Sequence, residues 1–202
     1  MLKLENVFKS YGSIKAVEDI SFGVDDGKCF CIIGRSGCGK STVLKVVALI
    51  VKPTQGKIVI DGRAVNNLNV AEIDKIRKEK IAYSFQEPLL IPYMTALENL
   101  TEITGVNRES AIELLFQLGL SNRLSHKPLK LSVGEKKRVD IARALLRGSP
   151  ILVADEPLAN LDPSNSLKVM GLLKAHANKG GTVVYSSVEP LDAKFADSFI
   201  TM

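Results

Sequence analysis

The sequence predicts an α/β fold: a largely parallel sheet wrapped by helices, with an antiparallel β subdomain and a compact helical subdomain. Three observations carry this expectation. A glycine-rich loop, Gly34-Arg35-Ser36-Gly37-Cys38-Gly39-Lys40-Ser41-Thr42, sits between an apolar run and a helical pattern. Short apolar runs at Phe30, Ile81, Ile151 and Val183 alternate with helical stretches, as parallel strands do. The N-terminal segments instead alternate apolar and polar residues between turn signals, and residues from Glu87 to Lys130 read as helical.

Taken in order, Leu2 to about Tyr11, Glu18 to Val24 and Lys57 to Ile60 read as antiparallel strands. Turns fall at Tyr11-Gly12-Ser13 and Asp25-Asp26-Gly27. Phe30-Cys31-Ile32-Ile33 reads as a buried strand. The loop after it fits G-x-x-x-x-G-K-[ST] at every fixed position. Glycines let backbone N–H groups turn inward around phosphate oxygens, and the helix N-terminus adds a positive dipole end. Lys40 is placed to reach the β- and γ-phosphates, and the Ser41 hydroxyl to ligate Mg²⁺. The competing reading is a glycine-rich turn before a core helix. That helix is expected to carry Val43, Val46, Val47 and Ile50 on one face.

Further on, Thr95 to Ile103 and Glu109 to Leu118 are candidate helices, the second with Ala111, Leu114, Leu115 and Leu118 on one face. Pro88-Leu89-Leu90-Ile91-Pro92-Tyr93-Met94 is apolar and proline-broken. It reads either as packing between subdomains or as a groove for a partner helix. Leu131-Ser132-Val133-Gly134-Glu135 opens a long helix, and Ser132 with Glu135 forms a capping box. A capped helix start with a nearby glycine is also an anion site, here for a nucleotide brought by another chain. Ile151-Leu152-Val153-Ala154 ends in two carboxylates, Asp155 and Glu156. Such a strand is expected beside the phosphate-loop strand, with one carboxylate on magnesium and the other on the attacking water. Alone it reads equally as an acidic strand end. Ser198 to Met202 reads as a final short strand with no regulatory extension.

The 202 residues suffice for one domain with a substantial core. No stretch approaches the ~20 apolar residues that span a bilayer, and the N-terminus lacks a secretory h-region, so a cytosolic chain is expected. The net charge of +5 is mild. Lys136-Lys137-Arg138 and the Arg143–Arg147 stretch read as a solvated helix face, and nothing reads as a nucleic-acid patch. Of three cysteines, Cys29 and Cys31 alternate on a strand as small core residues. Cys38 lies in the loop, where oxidation would block a nucleotide.

With these motifs in one order, the chain resembles the ATP-binding cassette (ABC) ATPases essentially end to end. It is most similar to the small ATPases of lipoprotein-release and macrolide-export systems. The resemblance implies a P-loop NTPase with a RecA-like core. Residues 1–86 and 132–202 would form that core with the antiparallel β subdomain, and 87–131 the helical subdomain, in a single domain over 1–202. It implies ATP and Mg²⁺ as ligands. Tyr11 would stack on adenine, and Gly34 to Thr42 would hold the phosphates. Gln86 would sense magnesium and the attacking water. Asp155 would hold magnesium through water, with Ser41 and Gln86 completing the metal site. Glu156, Gln86 and Lys40 would be catalytic, and Leu158-Ala159-Asn160-Leu161-Asp162 would be a dimer-contact loop. Ser132 and Gly134 would act on the nucleotide of a second cassette, homologous or identical. An integral membrane permease subunit would hold the pair at the cytoplasmic face. The lack of a heptad insertion and the single phosphate loop argue against DNA-repair and tandem-cassette relatives.

Two departures matter. The signature reads LSVGE, so Val133 stands where the family has glycine, and Glu135 brings a negative charge near a γ-phosphate. Val188 stands where the family places a histidine on the γ-phosphate, and valine has no donor. His126 and His176 read as surface residues, not stand-ins. Slow hydrolysis is therefore expected. The rival expectation is a nucleotide-gated regulatory cassette that barely turns over, paired with a complete one.

Overall fold

A computed structural model describes residues 1–202. Four strands form an antiparallel sheet: β1 (Leu2–Tyr11), β2 (Ile14–Val24), β4 (Gln55–Ile60) and the short β5 (Arg63–Ala64), in the order β2-β1-β4-β5. Five form a parallel sheet: β3 (Cys29–Ile33), β6 (Ile81–Ser84), β7 (Ile151–Ala154), β8 (Thr182–Ser187) and β9 (Ser198–Thr201), in the order β6-β7-β8-β3-β9. The helices are α1 (Lys40–Val47), α2 (Val70–Lys80), α3 (Ala96–Thr104), α4 (Arg108–Gln117), α5 (Val133–Leu146) and α6 (Pro163–Asn178). The α/β class is as the sequence predicts.

The parallel strands are covered on both faces, and their side chains alternate between two cores. Cys29, Cys31, Ile33, Leu152, Ala154, Val183 and Tyr185 face one core, with residues from α3, α4, α5 and α6. Phe30, Ile32, Ile151, Val153 and Val184 face the other, with α1 and the antiparallel sheet. Phe22 of β2 stacks on Phe30 at 4.4 Å between ring centres, joining the two sheets. Burial pushes the Cys29 and Cys31 thiols up to about 11 and about 12, so both are inert core residues.

Four readings need correction. The strand carrying the two carboxylates, β7, is not beside β3, because β8 pairs with both and lies between them. α1 ends at Val47: Leu49 takes φ +56° and Ile50 leaves the helical face, 39% exposed. Lys137 and Arg138 are buried, not solvated, because backbone carbonyls from other segments receive their charged ends. His126 and His176 are half-buried, each with one ring nitrogen lacking a partner. α2 carries its own capping box, Asn69 with Glu72, and has no buried residue, so apolar periodicity gave no sign of it.

Candidate nucleotide site

The parallel strands β3, β6, β7 and β8 deliver their C-terminal ends to one edge of the sheet, where α/β folds bind ligands. The Gly34–Thr42 loop leaves β3 there and turns into α1. Gly37 takes φ +81° in open space, while Gly34 and Gly39 are sites of close approach. A Cβ at Gly34 would lie 2.5 Å from Cys38 Sγ. One at Gly39, where φ is +103°, would lie 2.1 Å from the Ala16 carbonyl oxygen. Arg35, Ser36 and Gly37 form the exposed crest, Cys38, Ser41 and Thr42 are half-buried, and Lys40 is 4% exposed. The first N–H groups of α1 have no intrahelical partner and point out of the helix start. The Lys40 ammonium donates to the carbonyls of Gly34 (2.9 Å) and Arg35 (3.0 Å) and lies 3.6 Å from Glu156 Oε1. The loop therefore encloses its own cation beside the unpaired N–H groups at the start of α1, an arrangement that suits an anion.

The carboxylates enter from β7. Asp155 is 2% exposed; its Oδ1 accepts from the Ser186 hydroxyl at 2.7 Å. Tyr83 Oη lies 3.5 Å from Oδ2, and burial first, then the Asp155 charge, push the phenol well above its usual range. Glu156 has φ +47°, a strained left-handed backbone for a residue with a side chain. Its N–H donates to Ser186 Oγ at 3.0 Å, and its Oε2 accepts from Gln86 Nε2 at 3.3 Å. So the interposed strand β8 does a job: Ser186 ties both carboxylate residues down. Lys40, Gln86 and Glu156 meet side chain to side chain. The oxygen set of Asp155, Gln86 and Ser41 is the hard-donor type that magnesium takes, so the residues fit that ion.

Ser132 and Gly134 are elsewhere. Ser132 caps α5, accepting from the Glu135 N–H at 3.2 Å, and Glu135 Oε2 accepts the Ser132 N–H at 2.8 Å. No hydrogen bond or ion pair joins them to the Gly34–Thr42 loop. Gly134 has an internal reason to be glycine: a Cβ there would lie 2.8 Å from the Asn160 carbonyl oxygen. The negative charge of Glu135 is answered within the chain, since Arg123 Nε donates to its Oε1 at 2.7 Å. Burial opposes ionisation of Glu135, but the Ser132 and Arg123 bonds outweigh it and hold the carboxyl below its usual range.

Tyr11 ends β1 and is 48% exposed, with the Lys9 ammonium 4.9 Å from its ring centre. The β1–β2 hairpin that carries it also brings Ala16 against Gly39. Val188 is exposed just past β8, and neither histidine approaches it: His176 packs against Gly181, and the His126 carbonyl accepts from Ala96 N–H at the start of α3. In the Pro88–Met94 segment, Leu90, Ile91 and Met94 are half-buried while Leu89 and Tyr93 are exposed. Buried Asn99 holds this segment through the Ile91 N–H at 2.7 Å and the Ile91, Met94 and Thr95 carbonyls. Ser186, Tyr83, Asn99 and Lys137 escaped the sequence reading. The one available signal was polar residues within otherwise apolar strands and helix faces.

Residues 17–159 match the family model described as ABC transporter. The uncharacterized ABC transporter ATP-binding protein MJ0796 of Methanocaldococcus jannaschii is 38% identical, over 99% of this chain and 92% of its own length. The lipoprotein-releasing system ATP-binding protein LolD of Aquifex aeolicus is 40% identical over 91% of this chain and 85% of its own. The dimeric post-hydrolysis structure of MJ0796 bound to ADP and Pi superposes with a TM-score of 0.91 at 37% identity. It covers all of this chain and 94% of the other.

Proposed function

The chain belongs to the ABC transporter ATP-binding cassettes, and on that premise we propose that it hydrolyses ATP as one of two cassettes closed around two ATP-Mg and coupled to a membrane permease subunit. The observation that carries this reading is the convergence of buried Lys40, buried Asp155 and strained Glu156 at the mouth of the glycine loop.

The Lys40 ammonium exchanges the Gly34 and Arg35 carbonyls for β- and γ-phosphate oxygens, while the loop amides and the α1 N-terminus hold the remaining charge. Ser41, Gln86 and Asp155, the last through water, would hold magnesium. That ion, when bound, neutralises developing phosphate charge. Glu156 accepts the proton of the attacking water, with Gln86 orienting it. The new bond forms from water oxygen to the γ-phosphorus as the bond to the bridging oxygen breaks. Glu156 in turn gives up the Gln86 and Lys40 contacts that occupy its carboxylate. Tyr11 offers a stacking face for adenine. Ser132 still has its hydroxyl proton to donate, because its cap uses only the oxygen as acceptor. That proton, with Gly134, serves the γ-phosphate of the partner's nucleotide. Val188 supplies no donor to the transition state, so turnover is slow.

No helix is long and apolar enough to cross a membrane, so coupling to the permease runs through a docking surface. Exposed Leu89 and Tyr93 supply one side. Arg143, which donates to the Leu89 carbonyl at 2.8 Å, also lines a neighbouring cavity of about 680 Å³ with Ile50, Phe85 and Ile103. Bound there, the cassette lies at the cytoplasmic face. Sedimentation of the Glu156→Gln variant tests the closed pair: ATP with Mg²⁺ is expected to convert monomer to dimer, and ADP is not. A monomer under both conditions contradicts the proposal.

A further inference from the structure

Three charged side chains of α5 lie outside the nucleotide site. Lys137, Asp140 and Arg143 recur every three residues and face the chain that leaves β6. Lys137 is 2% exposed. Its ammonium donates to the carbonyls of Phe85 (2.7 Å), Gln86 (2.8 Å) and Asp155 (2.9 Å), which uses all three of its protons. Asp140 is fully buried and accepts from the Ser84 hydroxyl at 2.7 Å and the Phe85 N–H at 3.1 Å. Arg143 pairs with Asp140 at 2.5 Å and reaches the Leu89 carbonyl. One helix thus grips residues 85, 86, 89 and 155 by their backbones, and Ser84 by its hydroxyl.

Burying charge is costly, and apolar packing of similar volume is often the more stable solution. Burial lowers the Lys137 pKa against the pull of Asp140, Asp155 and Glu156, so the cation is held here at a disadvantage. What the cluster secures is geometry. The two backbone segments that Lys137 joins end in Gln86 and Glu156, whose side chains meet at 3.3 Å. The helix that bears Lys137 starts at Ser132, its N-cap.

We propose that Lys137 is a positioning residue for hydrolysis: it fixes Gln86 against the Asp155–Glu156 strand end and locks both to the helix whose capped start receives the partner's nucleotide. This rests on the function proposed above. Seating of ATP on Ser132 of one cassette then sets the water-orienting pair in the same cassette. Each site therefore senses the other through a rigid polar contact rather than through the nucleotide alone.

The test compares Lys137→Met, unbranched and without donors, with Lys137→Gln, neutral but still donating. Nucleotide binding by monomer and steady-state turnover are measured for both. In Lys137→Met, kcat is expected to fall about hundredfold, the scale of a misplaced reacting group, with nucleotide affinity within about twofold of the parent. Lys137→Gln is expected to recover part of the rate. Parent-like kcat in Lys137→Met overturns the inference. So does loss of kcat, affinity and thermal stability in parallel, which would mark a purely structural lysine. If Lys137→Met does not fold, Lys137→Gln with fully parental kcat and melting temperature overturns it as well, and a reduced kcat at parental affinity sustains it. A parent whose turnover is indifferent to Glu156→Gln overturns the proposed function and this inference together. A hydrolysing parent matched by its Lys137 variants overturns this inference alone.

Discussion

Replacing Ser186 by alanine removes one oxygen that serves both carboxylate residues. Its hydroxyl donates to Asp155 Oδ1 at 2.7 Å and accepts the Glu156 N–H at 3.0 Å, in a position with no solvent exposure. A hydrogen bond to a charged group contributes about 1.5–3 kcal/mol, and a neutral one about 1. Alanine fills almost the same space, so no cavity offsets or enlarges the loss, and water has no ready entry. The expected destabilisation is about 3 kcal/mol, read as a shift in the urea midpoint at unchanged slope. The strain at Glu156, where φ is +47°, costs about 1–3 kcal/mol and is held in place partly by this bond. Turnover should therefore drop by more than stability alone explains, by about hundredfold in folded protein. A midpoint shift equivalent to under about 0.5 kcal/mol, with parental turnover, would refute the reasoning that β8 secures the catalytic strand end.

Val188→His restores a donor at an exposed position with room for an imidazole, and turnover should rise about hundredfold, the lower end of what one preorganised donor supplies; equal rates in single-turnover assays would sink the slow-hydrolysis proposal. His176 is held below its usual pKa by burial first, partly offset by the hydrogen bond its ring donates to the Pro150 carbonyl, with Lys179 adding to the lowering. The unfolded chain thus takes up a proton first as pH falls below about 6.5, and stability should decline from there until the folded imidazole itself protonates. Urea midpoints at about pH 5 and pH 7.5 should differ less in His176→Gln than in the parent, and an unchanged difference would remove this histidine from the account.

Local chemistry made much of the site legible. The loop pattern, the strand before it and the two acidic residues after Ala154 each sit within a few positions of their signal. The helix start at Ser132 was readable for the same reason: a cap and its glutamate are three residues apart, and the structure shows the same box at Thr95 with Glu98. The order of parallel strands was not readable. Nothing in a strand's own periodicity says which neighbour it pairs with, so the insertion of β8 between β3 and β7 had to come from the fold. The same holds for Lys137. Among Lys136, Arg138 and Arg143 it looks like one more surface charge, and its carbonyl partners lie 52, 51 and 18 residues away. The cross-chain roles proposed for Ser132 and Gly134 rest on likeness to a family, because within one chain Gly134 is already explained by its contact with Asn160.

The central claim is that this glycine loop and these carboxylates hydrolyse ATP, however slowly. Phosphate release by the purified chain with ATP and Mg²⁺, measured beside its Glu156→Gln variant, tests that claim most directly. The account predicts a low but measurable rate in the parent and its loss in the variant, with nucleotide binding retained in both. Indistinguishable rates would contradict it.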